Sequence, residues 1–389
     1  VTGTGSLHLK DLPSLVANID ASSSSVALTV DVNGQVQPIT IKAGNGDDYF
    51  DIGTGDSSID TSKGNDVVIV RAGANIASQN NIKTGEGADR VEVSAGTNVV
   101  FLGAGDDVAV CRLGFNTFVA GSGKDRITTF GGTNTISSDS GDNNITINGG
   151  SNSITLGTGN DSIYITGGQN EIETGQGDDT IIVVDSSSGT NITNLDAGAG
   201  NDSLSIYSSG TVTLPSVRNI ENFFLSDTVH QSLDFSFSSS LNGIELDSGT
   251  TIDGATITTT LGQGQSLTLD SITDGDTAAA SLGDGGIVIA QGAGITSLNL
   301  ILDDVGPSTS IPNENVFIDI AGTGVTTANV TSDNVSFVVI SNSGGALTEL
   351  ALLGSGTMAL GTLPTSITNV NGGAASANLT LTIGSTGSN

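Results

Sequence analysis

Carboxylates recur through the first half of this chain at a fixed distance, each closing a short glycine turn. The turns read Gly-x-Gly-x-Asp: Gly44-Asn-Gly46-Asp-Asp48, Gly85-Glu-Gly87-Ala-Asp89, Gly103-Ala-Gly105-Asp-Asp107, Gly121-Ser-Gly123-Lys-Asp125, Gly157-Thr-Gly159-Asn-Asp161, Gly175-Gln-Gly177-Asp-Asp179 and Gly198-Ala-Gly200-Asn-Asp202. Two more are degenerate: Ser62-Lys-Gly64-Asn-Asp66, and Asp139-Ser-Gly141-Asp-Asn143 with Asn in the last place. From Asp89 that place steps to 107, 125, 143, 161 and 179, always by eighteen, and Asp48 to Asp66 is the same step. Asp66 to Asp89 and Asp179 to Asp202 are each longer by five. Alternate glycines permit positive φ and let backbone carbonyls converge at a bend. Carbonyls with a carboxylate make an all-oxygen donor set, which suits calcium with its roughly six to eight oxygen ligands at about 2.3–2.6 Å. One cysteine and two isolated histidines, His8 and His230, argue against a softer metal. Ordinary solvated turns have no reason to keep one spacing through consecutive steps.

Such a row needs elements that repeat with it. Asn80, Asn98, Asn116, Asn134, Asn152 and Asn170 form a second row with the same step, nine residues before successive Asp/Asn positions. One coil is therefore two nine-residue halves, each a turn and a short strand. Apolar residues two and four places beyond the Asp row keep the register: Phe50/Ile52, Val68/Val70, Val91/Val93, Ile145/Ile147, Ile163/Ile165, Ile181/Val183 and Leu204/Ile206. After the Asn row the same offsets give Val100/Leu102, Phe118/Ala120 and Ile154/Leu156. Alternation of this kind marks strands with one buried face, and a short fixed period marks a solenoid of stacked turns.

Residues 40–206 resemble the calcium-binding β-roll of RTX proteins, built on the nonapeptide Gly-Gly-x-Gly-x-Asp-x-apolar-x. The resemblance implies an all-β fold centred on a parallel β-roll. It implies calcium ligands at Asp48, Asp66, Asp89, Asp107, Asp125, Asp161, Asp179 and Asp202, with Asn143 in the same row and the carbonyls of the flanking glycines. The neutral Asn row departs from the family, so one row of ions is expected rather than two, with amides hydrogen-bonding along the other. Asn143 and the turn Gly53-Thr-Gly-Asp-Ser57 are expected to be weak points in the ion row.

Composition agrees with an exported, cation-loaded protein. Asp and Glu number 41 against 10 Lys and Arg, for a formal charge of −31. Such a chain favours neither nucleic acid nor anionic membrane. Without divalent cations its aspartates repel, so the roll is expected to be disordered metal-free and to fold on binding calcium. Cys111 falls on an inward position and reads as a small buried filler. No transmembrane-length apolar run is present. Neither a zinc-protease nor a nucleophile-elbow motif occurs, and Gly121-Ser-Gly-Lys124 lies inside the repeat register, so no enzymatic activity is expected.

Three regions are expected: a β leader over 1–39, the roll over 40–206, and a second β-rich region over 207–389, either a sandwich or an irregular solenoid. Strand-like runs in the last include Gly243–Leu246, Ser266–Asp270, Ser297–Leu302, Val316–Ile320 and Val335–Ile340. Its acidic loops, Asp274-Gly-Asp276 and Asp303-Asp304, offer oxygens for further calcium but read more readily as solvated turns, and 307–315 reads as a protruding loop. The two ends match at an offset of 351: Gly3 to Pro13 lies on Gly354 to Pro364, Asn18–Asp20 on Asn369–Asn371, and Leu28-Thr-Val30 on Leu379-Thr-Leu381. That match suggests a module of a larger array. Texture over 207–389, with Asn219-Ile-Glu-Asn222 and Leu379-Thr-Leu-Thr-Ile383, is similar to calcium-dependent bacterial surface-layer (S-layer) proteins. The resemblance implies type I secretion, an extracellular cell-surface location and self-association into a two-dimensional lattice. Any contact with cell-surface polysaccharide is assigned to regions outside this chain. A large adhesin or biofilm-matrix protein, or the non-catalytic module of a secreted enzyme, are the alternatives.

Overall fold

Short β-branched runs separated by glycine turns cannot bury an apolar face alone; stacked in parallel, they can. The computed structural model describes residues 5–383 other than 11, 14, 35, 72–77, 186–189, 209–216, 228–231, 235–242, 247–255, 262–264, 271–285, 292–293, 304 and 306–315. The described elements are all strands. The chain divides into one unit of residues 1–184 with 189–200 and another of 185–188 with 201–389.

In the first unit the coils build two parallel stacks, most of them with one strand in each, while Asn144–Thr155 and Ser162–Glu173 are single strands that run through both. The stack that follows the Asp row includes Tyr49–Ile52, Val67–Val70, Arg90–Val93, Val108–Cys111 and Arg126–Thr129. The stack that follows the Asn row includes Ser57–Asp60, Gln79–Glu86, Thr97–Ala104, Phe115–Ser122 and Thr133–Ser137. Register is that of the repeat: Val108 lies on Arg126, and Asn98 on Asn116. Strands of the leader already belong to the stack, Leu7 lying on Leu28, Thr29 on Tyr49 and Asn18 on Thr40.

The apolar positions read from the sequence face inward and are buried, from Phe50 and Ile52 to Leu204 and Ile206. Each fully buried Val or Ile contributes about 1.5–3 kcal/mol relative to exposure. Volume is balanced within a coil: the one with the large inward Phe118 carries the small inward Ala109, Cys111 and Ala120. Cys111 is buried as expected, and burial pushes its thiol up to about 12.

In the second unit the ladders are again parallel, as when Asn222 lies on Ser203 and Thr327 on Ser297. The five strand runs expected there are present, as Gly243–Leu246, Ser266–Asp270, Ser297–Asp303, Val316–Ile320 and Ser336–Ser341. Parallel pairing makes this unit a solenoid rather than a sandwich, since sandwiches are built from antiparallel sheets. Its coil length varies, from nineteen residues between Ser203 and Asn222 to thirty-three between Ser266 and Asn299. The expected loops Asp274–Asp276 and 307–315 lie outside the described residues, as do Asp304 and His230.

The end match is structural as well as textual. Leu7 lies on Leu28 and Met358 on Leu379, positions related by the same offset of 351. The N–H of Val16 donates to the Pro13 carbonyl at 2.9 Å, and that of Ile367 to the Pro364 carbonyl at 3.1 Å. Likewise Leu7 N–H donates to Ala27 O at 3.0 Å and Met358 N–H to Asn378 O at 3.1 Å.

Candidate metal site

A tight stack of turns leaves no room for side chains at its corners. A Cβ on Gly103 would stand 2.0 Å from the Gly85 carbonyl oxygen, and one on Gly105 1.9 Å from that of Gly87. Both residues also have φ in the left-handed region, +119° and +136°, so glycine is required twice over. The same close approach recurs at Gly44, Gly46, Gly64, Gly85, Gly87, Gly121, Gly123, Gly157, Gly159, Gly175, Gly177, Gly198 and Gly200.

The aspartates line the inside of these corners, and all eight are buried. Asp48, Asp66, Asp89, Asp107, Asp125, Asp161 and Asp179 each spend one oxygen on the coil before. The N–H of Leu28 donates to Asp48 Oδ1 at 2.7 Å, Asp48 N–H to Asp66 at 2.8 Å, Asp66 N–H to Asp89 at 2.8 Å, and Asp89 N–H to Asp107 at 2.8 Å. The row continues from Asp107 N–H to Asp125 at 2.9 Å and from Asp161 N–H to Asp179 at 2.7 Å. Asp202 is buried at the start of the second unit, its N–H donating to Glu221 Oε2 at 2.7 Å.

The second oxygen has no such employment. Oδ2 of Asp48, Asp66, Asp89, Asp107, Asp125 and Asp161 is buried without a hydrogen-bond partner. A buried anionic oxygen in that state costs several kcal/mol unless a cation or proton meets it. Burial accordingly pushes these carboxyls up, to about 7 at Asp48 and Asp107 and about 6 at Asp66, Asp125 and Asp161, and it raises Asp89 and Asp179 as well. The basic side chains Lys63, Arg71 and Arg90 pair elsewhere, with Glu86, Asp51 and Glu92.

Carbonyl oxygens of the glycine turns are the other oxygen donors at these corners. First-glycine carbonyls are partly engaged: that of Gly121 accepts from Asp139 N–H, Gly157 from Gln176 N–H and Gly175 from Ala199 N–H. Second-glycine carbonyls at Gly87, Gly105 and Gly123 accept no hydrogen bond from a described residue. Among the described residues no three His, Cys, Asp or Glu side chains gather as a metal cluster. A cation here would draw on one carboxylate per corner and on main-chain oxygens, an arrangement that fits a hard ion.

The Asn row is satisfied without metal. Nδ2 of Asn80, Asn98, Asn116, Asn134 and Asn152 donates to Oδ1 of the next Asn at 2.7, 2.6, 2.8, 2.8 and 2.9 Å. The other amide hydrogen turns back to a carbonyl of its own turn, Ala95 for Asn98 and Gly131 for Asn134. Ser57 belongs to this row, its Oγ donating to Asn80 Oδ1 at 2.7 Å. The turn ending at Ser57 is therefore not a weak point of the Asp row, because nine residues past Asp48 the coil has reached its other corner.

Sequence reasoning missed two further ladders. On the solvent side Asp47 accepts from Asn65 N–H, Asn65 from Ala88 N–H, Asp106 from Lys124 N–H and Asp142 from Asn160 N–H. Inside, Thr84 Oγ1 donates to Leu102 O at 2.8 Å and Thr174 Oγ1 to Ala197 O at 2.8 Å. The signal was available in the Asp or Asn preceding many row aspartates and the Thr five places before several of them.

The profile of the RTX calcium-binding nonapeptide repeat matches four copies, over residues 42–77, 78–109, 113–145 and 146–181. These coils form a calcium-binding RTX β-roll. RTX repeat proteins are typically secreted and extracellular. The chain matches no curated protein and no solved structure.

Proposed function

We propose that this RTX chain is a structural, calcium-dependent, self-assembling module of a bacterial surface layer. The observation that carries it is the row of buried, unpartnered carboxylate oxygens, which gives calcium a mechanical task. Neutralising that row removes the repulsion between successive coils and stiffens the stack. Two features support self-association. Phe101, Leu113, Phe115 and Phe130 are large apolar side chains exposed on the roll, with Arg112 over the Phe130 ring at 5.7 Å. The strands Asn369–Ala375 and Leu379–Ile383 repeat Asn18–Asp20 and Leu28–Val32, which pair with the coil that opens the roll. A further roll is thus a chemically suited neighbour for that strand pair.

Electron microscopy of the purified chain, with calcium and then with chelator, tests this reading. Ordered two-dimensional sheets that dissolve on chelation are expected. Dispersed rods at every calcium concentration would contradict it.

A further inference from the structure

Asn143 stands in the aspartate row but presents an amide where its neighbours present a second carboxylate oxygen. Its orientation is fixed by the ladder. Oδ1 accepts the N–H of Asp125 at 3.1 Å, so a flipped side chain would set an N–H against an N–H. Nδ2 is therefore turned into the corner, where its two hydrogens meet the Gly141 carbonyl at 2.7 Å and Asp161 Oδ1 at 2.9 Å, with Ser138 Oγ at 3.1 Å also within reach. Gly141 is the second glycine of its turn, the counterpart of Gly87, Gly105 and Gly123, whose carbonyls are not engaged in this way. Amide hydrogens and a cation compete for the same lone pairs, and an amide nitrogen has none to give a metal. Asn143 is 2 % exposed, so water cannot take over either task.

We propose that Asn143 is a built-in break in the cation row: its amide takes the place of an ion at that corner and divides the roll into two separately loaded blocks, Asp48–Asp125 and one beginning at Asp161. This rests on the calcium reading of the roll. The corner is held together by hydrogen bonds alone, so the coils around Asn143 form a seam that needs no metal. Calcium bound on one side is separated from the other by a corner without a carboxylate, which removes the nearest-neighbour link through which occupancy would spread along the row.

The test counts calcium on the full chain and on its Asn143→Asp variant by native mass spectrometry and calorimetric titration. A higher calcium count is expected for the variant, together with a lower melting temperature in chelator, because the new carboxylate loses the amide's bonds to Gly141 and Asp161. The reverse change, Asp125→Asn, is expected to lower the count and extend the neutral seam, and it keeps the test decisive should Asn143→Asp fold poorly. Calcium bound in equal numbers by the natural chain and by either folded variant overturns the break while leaving the calcium reading intact. No calcium on any of the chains overturns that reading itself.

Discussion

At the scale of single residues the two oxygens of a row aspartate differ: at Asp48, Asp66, Asp89, Asp107, Asp125 and Asp161 one accepts a hydrogen bond from the coil before, and the other is buried without a partner. Asp107→Asn keeps an acceptor for Asp89 N–H and removes the buried charge. Metal-free stability is expected to be unchanged or raised, by about 1 kcal/mol, while the stabilisation gained from calcium falls; paired thermal melts with calcium and with chelator read both. Asp107→Ala strands the Asp89 amide too and is expected to cost about 1–3 kcal/mol in either condition. Protons are the other way to neutralise the row. Folding raises these carboxyls from the ordinary 3.8 to about 6 or 7. The metal-free fold therefore binds more protons than the unfolded chain between those values and loses stability as pH rises through that window. In chelator the melting temperature is expected to be higher near about pH 4.5 than near about pH 8, and with excess calcium the order should reverse, because ligands must be deprotonated. An unchanged order in calcium would count against metal binding by these groups.

At the scale of elements, a coil is held by two dissimilar seams. The Asn seam is complete without metal, so Asn116→Ala, which strips an acceptor from Asn98 and a donor from Asn134, should cost about 1–3 kcal/mol. Calcium stoichiometry should stay the same; chemical denaturation beside a calcium titration separates the two quantities. Gly103→Ala would drive a Cβ into the Gly85 carbonyl and is expected to loosen the Asp seam by more than about 1 kcal/mol. Much of this was legible in the sequence. The eighteen-residue step fixes which residues lie on one another, and alternation fixes which face is dry, so the Asp row, the Asn row and the inward Phe118 follow from spacing alone. Which corner Ser57 occupies required counting half-coils rather than matching Gly-x-Gly. The direction of the Asn143 amide could not be read at all, because it depends on which lone pairs its neighbours have already used.

At the scale of the molecule, the parallel winding of the second unit was hidden because its coils vary in length and no residue type marks a common step, leaving alternation to suggest strands without saying how they pair. The recurrence of one coil at residues 7–32 and 358–383, by contrast, is plain in both sequence and hydrogen bonding. Anomalous diffraction from crystals of the full chain grown with calcium tests the central claim most directly. A file of peaks between successive Asp corners, from Asp48 to Asp125 and again from Asp161, with none along the Asn80–Asn170 row, is the predicted result. Empty Asp corners, or ions seated among the stacked amides, would contradict it.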